Sequence, residues 1–205
     1  GFPTQPDWGV WNPDAVKRNL DAMKAWGISC IRSLLVCNWW KNNYRNYRQN
    51  YKDFVTWAAE RGIYVMVGFY QVCGYYDGQP EGWTPFPYPP FITSAENLAT
   101  IPNEQAFVDI WRSVAQEFAE FGNVLFDLWN EVGGDYAWDS PEMQHWWTVA
   151  QNCVNAIRQS SDAIIVLDWG WGIACDLDWP QGAGTVEWIQ HCPVTDPRGN
   201  LLYST

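Results

Sequence analysis

The sequence predicts an α/β fold, a (β/α)8 barrel, from the order of its helical and apolar segments. An amphipathic helix, a breaker residue and an apolar strand follow one another four times along the chain. The strand segments are apolar at nearly every position, which is typical of parallel strands covered on both faces. Links from helix to strand are short, whereas links from strand to helix are long and rich in aromatic residues. In parallel α/β folds the links that follow the strands carry the binding site.

The helical segments are recognised by their caps and by apolar residues on one face. In the first, Asn12 is the expected N-cap, Pro13 takes the first helical position, and Gly27 ends the helix. The same reading predicts helices over residues 12–27, 47–62, 103–122, 140–160 and 184–191.

The strand segments are predicted near residues 28–36, 63–70, 123–131, 163–169 and 200–205. A complete barrel has eight strands in about 250 residues. We therefore expect one domain over residues 1–205 that is an incomplete (β/α)8 barrel segment, about strands two to six. An open flavodoxin-like sheet has the same loop asymmetry, but no Gly-rich phosphate loop follows any strand here.

Composition restricts the partners of the protein. The formal net charge of -11 argues against binding nucleic acid or an anionic membrane, because phosphate contacts need clustered Lys and Arg. No apolar run approaches the roughly 20 residues that span a bilayer. The 16 Trp and 10 Tyr exceed what a core requires. Although several of these residues are expected to pack internally, the excess favours a ligand with flat C–H faces, such as a sugar ring.

The cysteines do not indicate a metal site. Six Cys are present without a CxxC pair, and only two His accompany them, so a zinc site is not expected. No cofactor is predicted. Free buried thiols and disulfides are both open. Cys37 and Cys73 end neighbouring predicted strands, which makes them our choice if one disulfide forms.

The segment LFDLWNEVGG delivers two polar residues to the end of a predicted strand. Asn130 and Glu131 follow a run of large apolar residues, and Gly133 and Gly134 let the backbone turn away. A polar residue at the carboxyl end of a barrel strand is typical of catalysis. The alternative is a solvated carboxylate on the rim.

The segment LFDLWNEVGG resembles the fourth-strand signature of glycoside hydrolase family 5, a family of retaining β-glycosidases with a (β/α)8 barrel. Three other segments are similar to strands of that family: WGISCIRSLL to the second, IIVLDWGW to the fifth and NLLYST to the start of the sixth. The resemblance covers most of the chain.

This resemblance implies roles for three residues. Glu131 would be the general acid/base, Asn130 would hydrogen-bond the sugar 2-hydroxyl, and Arg32 would keep the nucleophilic carboxylate ionised. Arg32 shares a side of its strand with Cys30 and Leu34, so we expect it to face the barrel interior. A structural ion pair is the alternative for Arg32.

The sequence also departs from the family pattern. Tyr70 stands where the family often has a His, and Val132 stands where it commonly has a Pro. The family's nucleophile is a Glu at the end of the seventh strand, which we expect beyond Thr205. Asp168 lies within a strand and Glu187 within a helix, so neither is expected to replace it.

Aromatic residues just past the strands are candidates for binding a sugar. Stacking on a sugar and packing in the core are both open for each of them. The candidates for substrate binding are Trp39, Trp40, Tyr70, Trp138, Trp169 and Trp171.

The resemblance implies a secreted, endo-acting β-glycanase that binds a polysaccharide or oligosaccharide and uses no metal. A β-1,4-glucan is the first choice of substrate, and a β-1,4-mannan is the second. A catalytically inactive, sugar-binding barrel is the alternative from another functional class.

Overall fold

The described part of the chain alternates helices with the strands of one sheet. The computed structural model describes residues 11–35, 37–69, 104–129, 137–169 and 185–204. The five strands form one sheet in the order β1-β2-β3-β4-β5. In chain order the elements are α1 (Pro13–Ala25), β1 (Cys30–Leu35), α2 (Cys37–Asn42), a 3-10 helix (Tyr44–Asn46), α3 (Tyr47–Ala59), β2 (Tyr64–Phe69), α4 (Glu104–Glu117), β3 (Val124–Asp127), α5 (Pro141–Ile157), β4 (Ile165–Asp168), α6 (Thr185–His191) and β5 (Leu201–Ser204).

The described residues up to Phe69, together with Glu120–Phe126, form one compact unit. In it β1 pairs with β2 in parallel, so that Ile31 lies opposite Val65 and Leu35 opposite Phe69. The core of this unit combines one face of β2 with the apolar stripe of α3, and its fully buried members include Val65, Val67, Phe69, Tyr51, Phe54, Val55 and Ala58. Apolar burial of this kind is the main stabilising contribution in a globular unit.

The predicted helix caps of this unit are confirmed. The Asn12 side chain accepts a hydrogen bond from Ala15 N at 3.0 Å and satisfies a free N–H at the start of α1. Gly27 ends the α1 segment with φ 83°, a left-handed conformation that favours glycine.

The remaining described residues form a second compact unit. Its strands β4 and β5 pair in parallel, with Ile165 opposite Leu201. The Ser140 side chain caps α5 by accepting from Met143 N at 3.1 Å, as its place before Pro141 predicts. The helices α4 and α5 contribute a second apolar core, whose buried members include Phe107, Trp111, Val114, Val149, Cys153 and Ile157.

A buried ion pair joins the segments that precede β4 and β5. Arg158, just after α5, donates to both carboxylate oxygens of Asp196, at 2.7 and 2.9 Å. The same guanidinium donates to the carbonyls of Ser161, Ala163 and Asn200. The two side chains are only 5% and 1% exposed, so this is a fully paired internal charge cluster.

The Arg158 guanidinium, which hydrogen-bonds the carboxylate, lowers the pKa of Asp196 from 3.8 to about 2. A carboxylate with a depressed pKa in the folded state stabilises the protein above its unfolded pKa. That contribution, about 2 kcal/mol, is lost as the pH falls from about 4 towards 2.

Two predictions about secondary structure differ from the structure. The strand predicted near residues 123–131 ends at Asp127, although Leu128 N still donates to Val166 O at 3.1 Å. The loop expected after β1 instead contains α2, which carries Trp39 and Trp40. With six residues, α2 is too short to show an amphipathic repeat in the sequence.

The parallel sheet and the helices between its strands agree with the predicted α/β class.

 The five strands within the described residues correspond to the five that the sequence predicts. The prediction of a single domain over residues 1–205 stays a prediction.

Among the described helices, none is both long and apolar enough to cross a membrane.

We expect Asp196→Asn to lower the free energy of unfolding by about 3–5 kcal/mol at pH 7, because it leaves the buried Arg158 charge without its partner. Urea unfolding, followed by Trp fluorescence at pH 7 and pH 3, measures this loss and its decrease in acid. The matched control is Asp162→Asn, which removes an exposed partner of Arg198 (2.8 Å; side chains 57% and 66% exposed). This control is expected to cost less than about 1 kcal/mol. Equal losses in the two variants would contradict the role given to the buried pair.

Candidate functional site

The carboxyl end of β3 is anchored in the second unit by buried side chains. Asp127, the last residue of the strand, is fully buried, and so are Leu128 and Trp129. The Trp129 ring packs edge-on against Phe107, with 5.4 Å between the ring centroids. The chain therefore leaves this strand from a fixed position. The next two residues, Asn130 and Glu131, lie outside the described residues.

The carboxyl end of β4 carries a buried acid that is already bonded. The Ser204 hydroxyl of β5 donates a short hydrogen bond to Asp168 Oδ1, and Trp169 N donates to Ser204 O at 3.1 Å. Asp168 is 5% exposed. These bonds tie the ends of the two strands together, which indicates a structural role for Asp168.

Trp169, directly after β4, lies inside an aromatic cluster. Its ring is fully buried and lies against Trp146, Trp188 and Tyr203, with centroid distances of 6.2, 6.3 and 5.9 Å. Burial raises the pKa of Tyr203, whose hydroxyl donates to Val194 O at 3.4 Å. The burial of Trp169 favours packing over the predicted stacking on a sugar.

Trp138, which precedes α5, is only half-buried. Its ring stacks on His191, with 4.0 Å between the centroids and an interplanar angle of 14°. Its carbonyl accepts hydrogen bonds from Gln144 Nε2 at 2.8 Å and from Cys192 Sγ at 3.4 Å. Burial raises the pKa of Cys192, so the thiol stays protonated and keeps donating. One face of Trp138 is thus covered by His191, which leaves a sugar only the other face.

In the first unit, α2 follows the carboxyl end of β1 and carries two of the predicted sugar-binding residues. Trp40 is 1% exposed and meets Tyr51 edge-on at 6.5 Å. Trp39 is half-buried and meets Tyr47 edge-on at 5.5 Å. Trp39 is therefore the one of this pair that can offer surface to a ligand.

Arg32 lies in the middle of β1, opposite Met66 of β2. Its side chain is exposed, and so is that of Cys30, two residues earlier on the same face. Ser33, the next residue of β1, is buried. Its carbonyl accepts a hydrogen bond from Tyr51 Oη at 2.9 Å. Burial raises the pKa of Tyr51 well above its usual range, so this donor keeps its proton. The strand is thereby fixed to α3 next to Arg32.

Several predicted residues fall outside the described residues. They are Tyr70, Cys73, Asn130, Glu131 and Trp171, and their predicted roles stay predictions. Within the described ranges there is no group of three or more His, Cys, Asp or Glu side chains placed to hold a metal ion.

Sequence reasoning missed two features near the strand ends. Ser204 could not be identified from the sequence, because a single serine at the end of a short strand is common. Its hydrogen bond to Asp168 depends on the register between β4 and β5. Arg48 was also missed. It donates to Trp40 O at 2.8 Å and to Lys41 O at 3.2 Å, and so holds the end of α2.

A family model described as cellulase, glycosyl hydrolase family 5, matches residues 1–204. The chain belongs to this family. The resemblance predicted from LFDLWNEVGG and its companion segments is therefore confirmed. No curated protein sequence matches the chain.

Solved structures of endoglucanases share the fold. Pseudomonas stutzeri endoglucanase Cel5A, in complex with cellobiose, is 22% identical with a TM-score of 0.61, and the match covers 91% of this chain and 50% of that one. XacCel5A in complex with cellopentaose is 20% identical with a TM-score of 0.63, and covers 91% and 54%. The catalytic domain of Thermobifida fusca endoglucanase Cel5A is 20% identical with a TM-score of 0.62, and covers 91% and 52%.

These matches confirm the predicted fold class, since the parallel sheet and its helices align with family 5 barrels. The chain spans about half the length of these structures.

The burial of Trp169 can be tested by its effect on stability. We expect Trp169→Ala to lower the free energy of unfolding by about 3–5 kcal/mol, because it opens a cavity between three aromatic rings. Urea unfolding gives the value. Trp26→Ala is the control, since the Trp26 side chain is 83% exposed and its removal leaves no cavity. A Trp169→Ala variant as stable as the control would show that the ring is not part of the core.

Proposed function

We propose that the protein hydrolyses β-1,4-linked glucan by a retaining double displacement, with Glu131 as the general acid/base. The observation that carries this proposal is the position of Glu131 in a family 5 chain. It follows β3 by four residues, after the buried pair Leu128 and Trp129. Residues in this position of a barrel are the usual site of catalysis.

Retaining hydrolysis requires two carboxyl groups about 5 Å apart with different protonation states. In our proposal Glu131 is protonated at first and gives its proton to the leaving oxygen. It then takes a proton from the water that releases the sugar. Asn130 hydrogen-bonds the 2-hydroxyl of the sugar that is attacked.

The second carboxylate attacks the anomeric carbon and must be ionised. Arg32, exposed on β1, is our choice for the positive group that lowers the pKa of this nucleophile. Asp168 is not our choice for the nucleophile, because it is buried and accepts the Ser204 hydrogen bond.

The proposed substrate is a β-1,4-glucan chain, because two of the similar structures hold cellobiose and cellopentaose. Trp39 and the face of Trp138 opposite His191 are the described aromatic surfaces that we propose for sugar stacking. A β-1,4-mannan is the second choice. We also propose a secreted location, since a polymeric substrate does not enter cells.

We expect Glu131→Gln to lower kcat on soluble β-1,4-glucan by at least about 100-fold, because an amide cannot donate the proton that the leaving group needs. On aryl β-cellobiosides with a good leaving group, the rate of the first step should fall far less, since such a leaving group needs little protonation. Reducing-end assays and release of the aryl group measure the two rates.

The matched control for this variant is Glu120→Gln, an exposed Glu in the turn before β3. It should keep the rate of the unsubstituted protein on both substrates. Near-full activity of Glu131→Gln on the glucan would refute the assignment. A protein that binds glucan but hydrolyses neither substrate before substitution would instead be a sugar-binding barrel.

A further inference from the structure

Trp138 and His191 form a stacked pair of rings that come from two distant segments of the second unit. Their ring centroids are 4.0 Å apart and the interplanar angle is 14°. Trp138 is half-buried and His191 is exposed, so the pair lies at the surface. Within the described residues, no second aromatic ring lies against Trp138. Packing that hides apolar surface is the ordinary explanation, so the location and the attachment of the pair must decide whether it also serves binding.

The pair lies at the N-terminal end of α5. Trp138 is two residues before Ser140, the N-cap of this helix. His191 reaches the same end because the segment that follows it runs alongside α5. Pro193 O accepts from Trp147 Nε1 at 2.9 Å in the first half of the helix, and later residues of the segment meet its C-terminal half. In parallel α/β units the N-terminal ends of helices lie near the carboxyl ends of the strands, where ligands bind.

The backbone of each ring is held independently of the stack. Trp138 O accepts hydrogen bonds from Gln144 Nε2 at 2.8 Å and from Cys192 Sγ at 3.4 Å. Cys192, directly after His191, is buried, and its backbone N–H donates to Trp188 O at 2.8 Å. Trp188 belongs to the buried aromatic cluster around Trp169. The imidazole is therefore carried by a segment that is anchored in the core of the unit.

A ring held in one orientation is a better platform for a sugar than a ring that rotates. A mobile side chain loses rotamer freedom when a ligand binds, and this loss weakens the binding. An imidazole against one face of the Trp138 indole restricts that freedom before the ligand arrives. The opposite face of the indole can then receive the C–H face of a sugar ring.

We propose that His191 is a positioning residue, which holds the Trp138 indole in the orientation that stacks on a sugar unit of the glucan chain. This inference rests on the proposed function and adds a residue to its substrate-binding site. His191 acts through Trp138 and does not contact the sugar. The stack is the same in the bound substrate and in the transition state, so its loss raises KM and leaves kcat nearly unchanged.

The test is a double-variant cycle on soluble hydroxyethyl cellulose, in which kcat and KM are measured separately. We expect His191→Ala to raise KM about 3- to 10-fold, with kcat within about 2-fold of the unsubstituted protein. In a Trp138→Ala background the same substitution should have no further effect on KM, because the ring that His191 positions is gone. His191→Phe keeps a planar ring against the indole and should restore KM. Gln190→Ala, which changes the exposed neighbour of His191 on α6, is the matched control and should leave KM unchanged.

An unchanged KM in His191→Ala overturns the inference. An equal rise of KM with and without the Trp138 ring also overturns it, since His191 would then act on the sugar itself. A His191→Phe variant with the KM of His191→Ala contradicts a role for stacking.

Retardation in native gels that contain hydroxyethyl cellulose gives the same comparison without hydrolysis. Weaker retardation of His191→Ala, with normal retardation of His191→Phe, supports the inference even where the unsubstituted protein hydrolyses no glucan. That absence of hydrolysis would refute the proposed function alone. An unsubstituted protein that the polymer does not retard overturns the inference.

Discussion

The constraint on which the structure depends is that its neighbouring strands run parallel. Parallel strands cannot be joined by a tight turn, so each pair needs a crossover that carries a helix. The helices then cover one face of the strands, as α3 covers β2. Because all crossovers begin at the carboxyl ends of strands, the long aromatic connections of this sequence share one side of each unit. The sites we propose lie in those connections.

Polar clamps hold the opposite, amino ends of the strands. In the first unit Asn123 Nδ2 donates to Val55 O and Ile63 O, both at 3.1 Å, just before β2 and β3 begin. In the second unit Arg158 and Asp196 do the same before β4 and β5. Each clamp uses a side chain that is at least half-buried to satisfy two or more backbone carbonyls, which would otherwise be costly to bury.

Local sequence signals were sufficient for much of the fold. The caps Asn12 and Ser140 and the left-handed Gly27 act through contacts within a few residues, so they are readable from the sequence. The five strands were found because apolar runs without alternation mark strands buried on both faces. The α2 helix was missed because one and a half turns show no period.

The site was less predictable, because it depends on contacts between distant segments. Trp39 and Trp40 are neighbours in the sequence and both follow a predicted strand, yet only Trp40 is buried, with its ring edge-on against Tyr51. Trp169 has the position expected of a sugar platform, but Trp188 and Tyr203 come from elements 19 and 34 residues further along and cover it.

The central claim is that Glu131 is the acid/base of a retaining glycosidase. The most direct measurement is the reaction of Glu131→Ala with an aryl β-cellobioside in the presence of sodium azide. Once the acid/base is gone, azide takes the place of water in the second displacement, and the rate recovers. Our account predicts a β-cellobiosyl azide, identified by NMR. An α-azide would make Glu131 the nucleophile, and no rescue would contradict the claim.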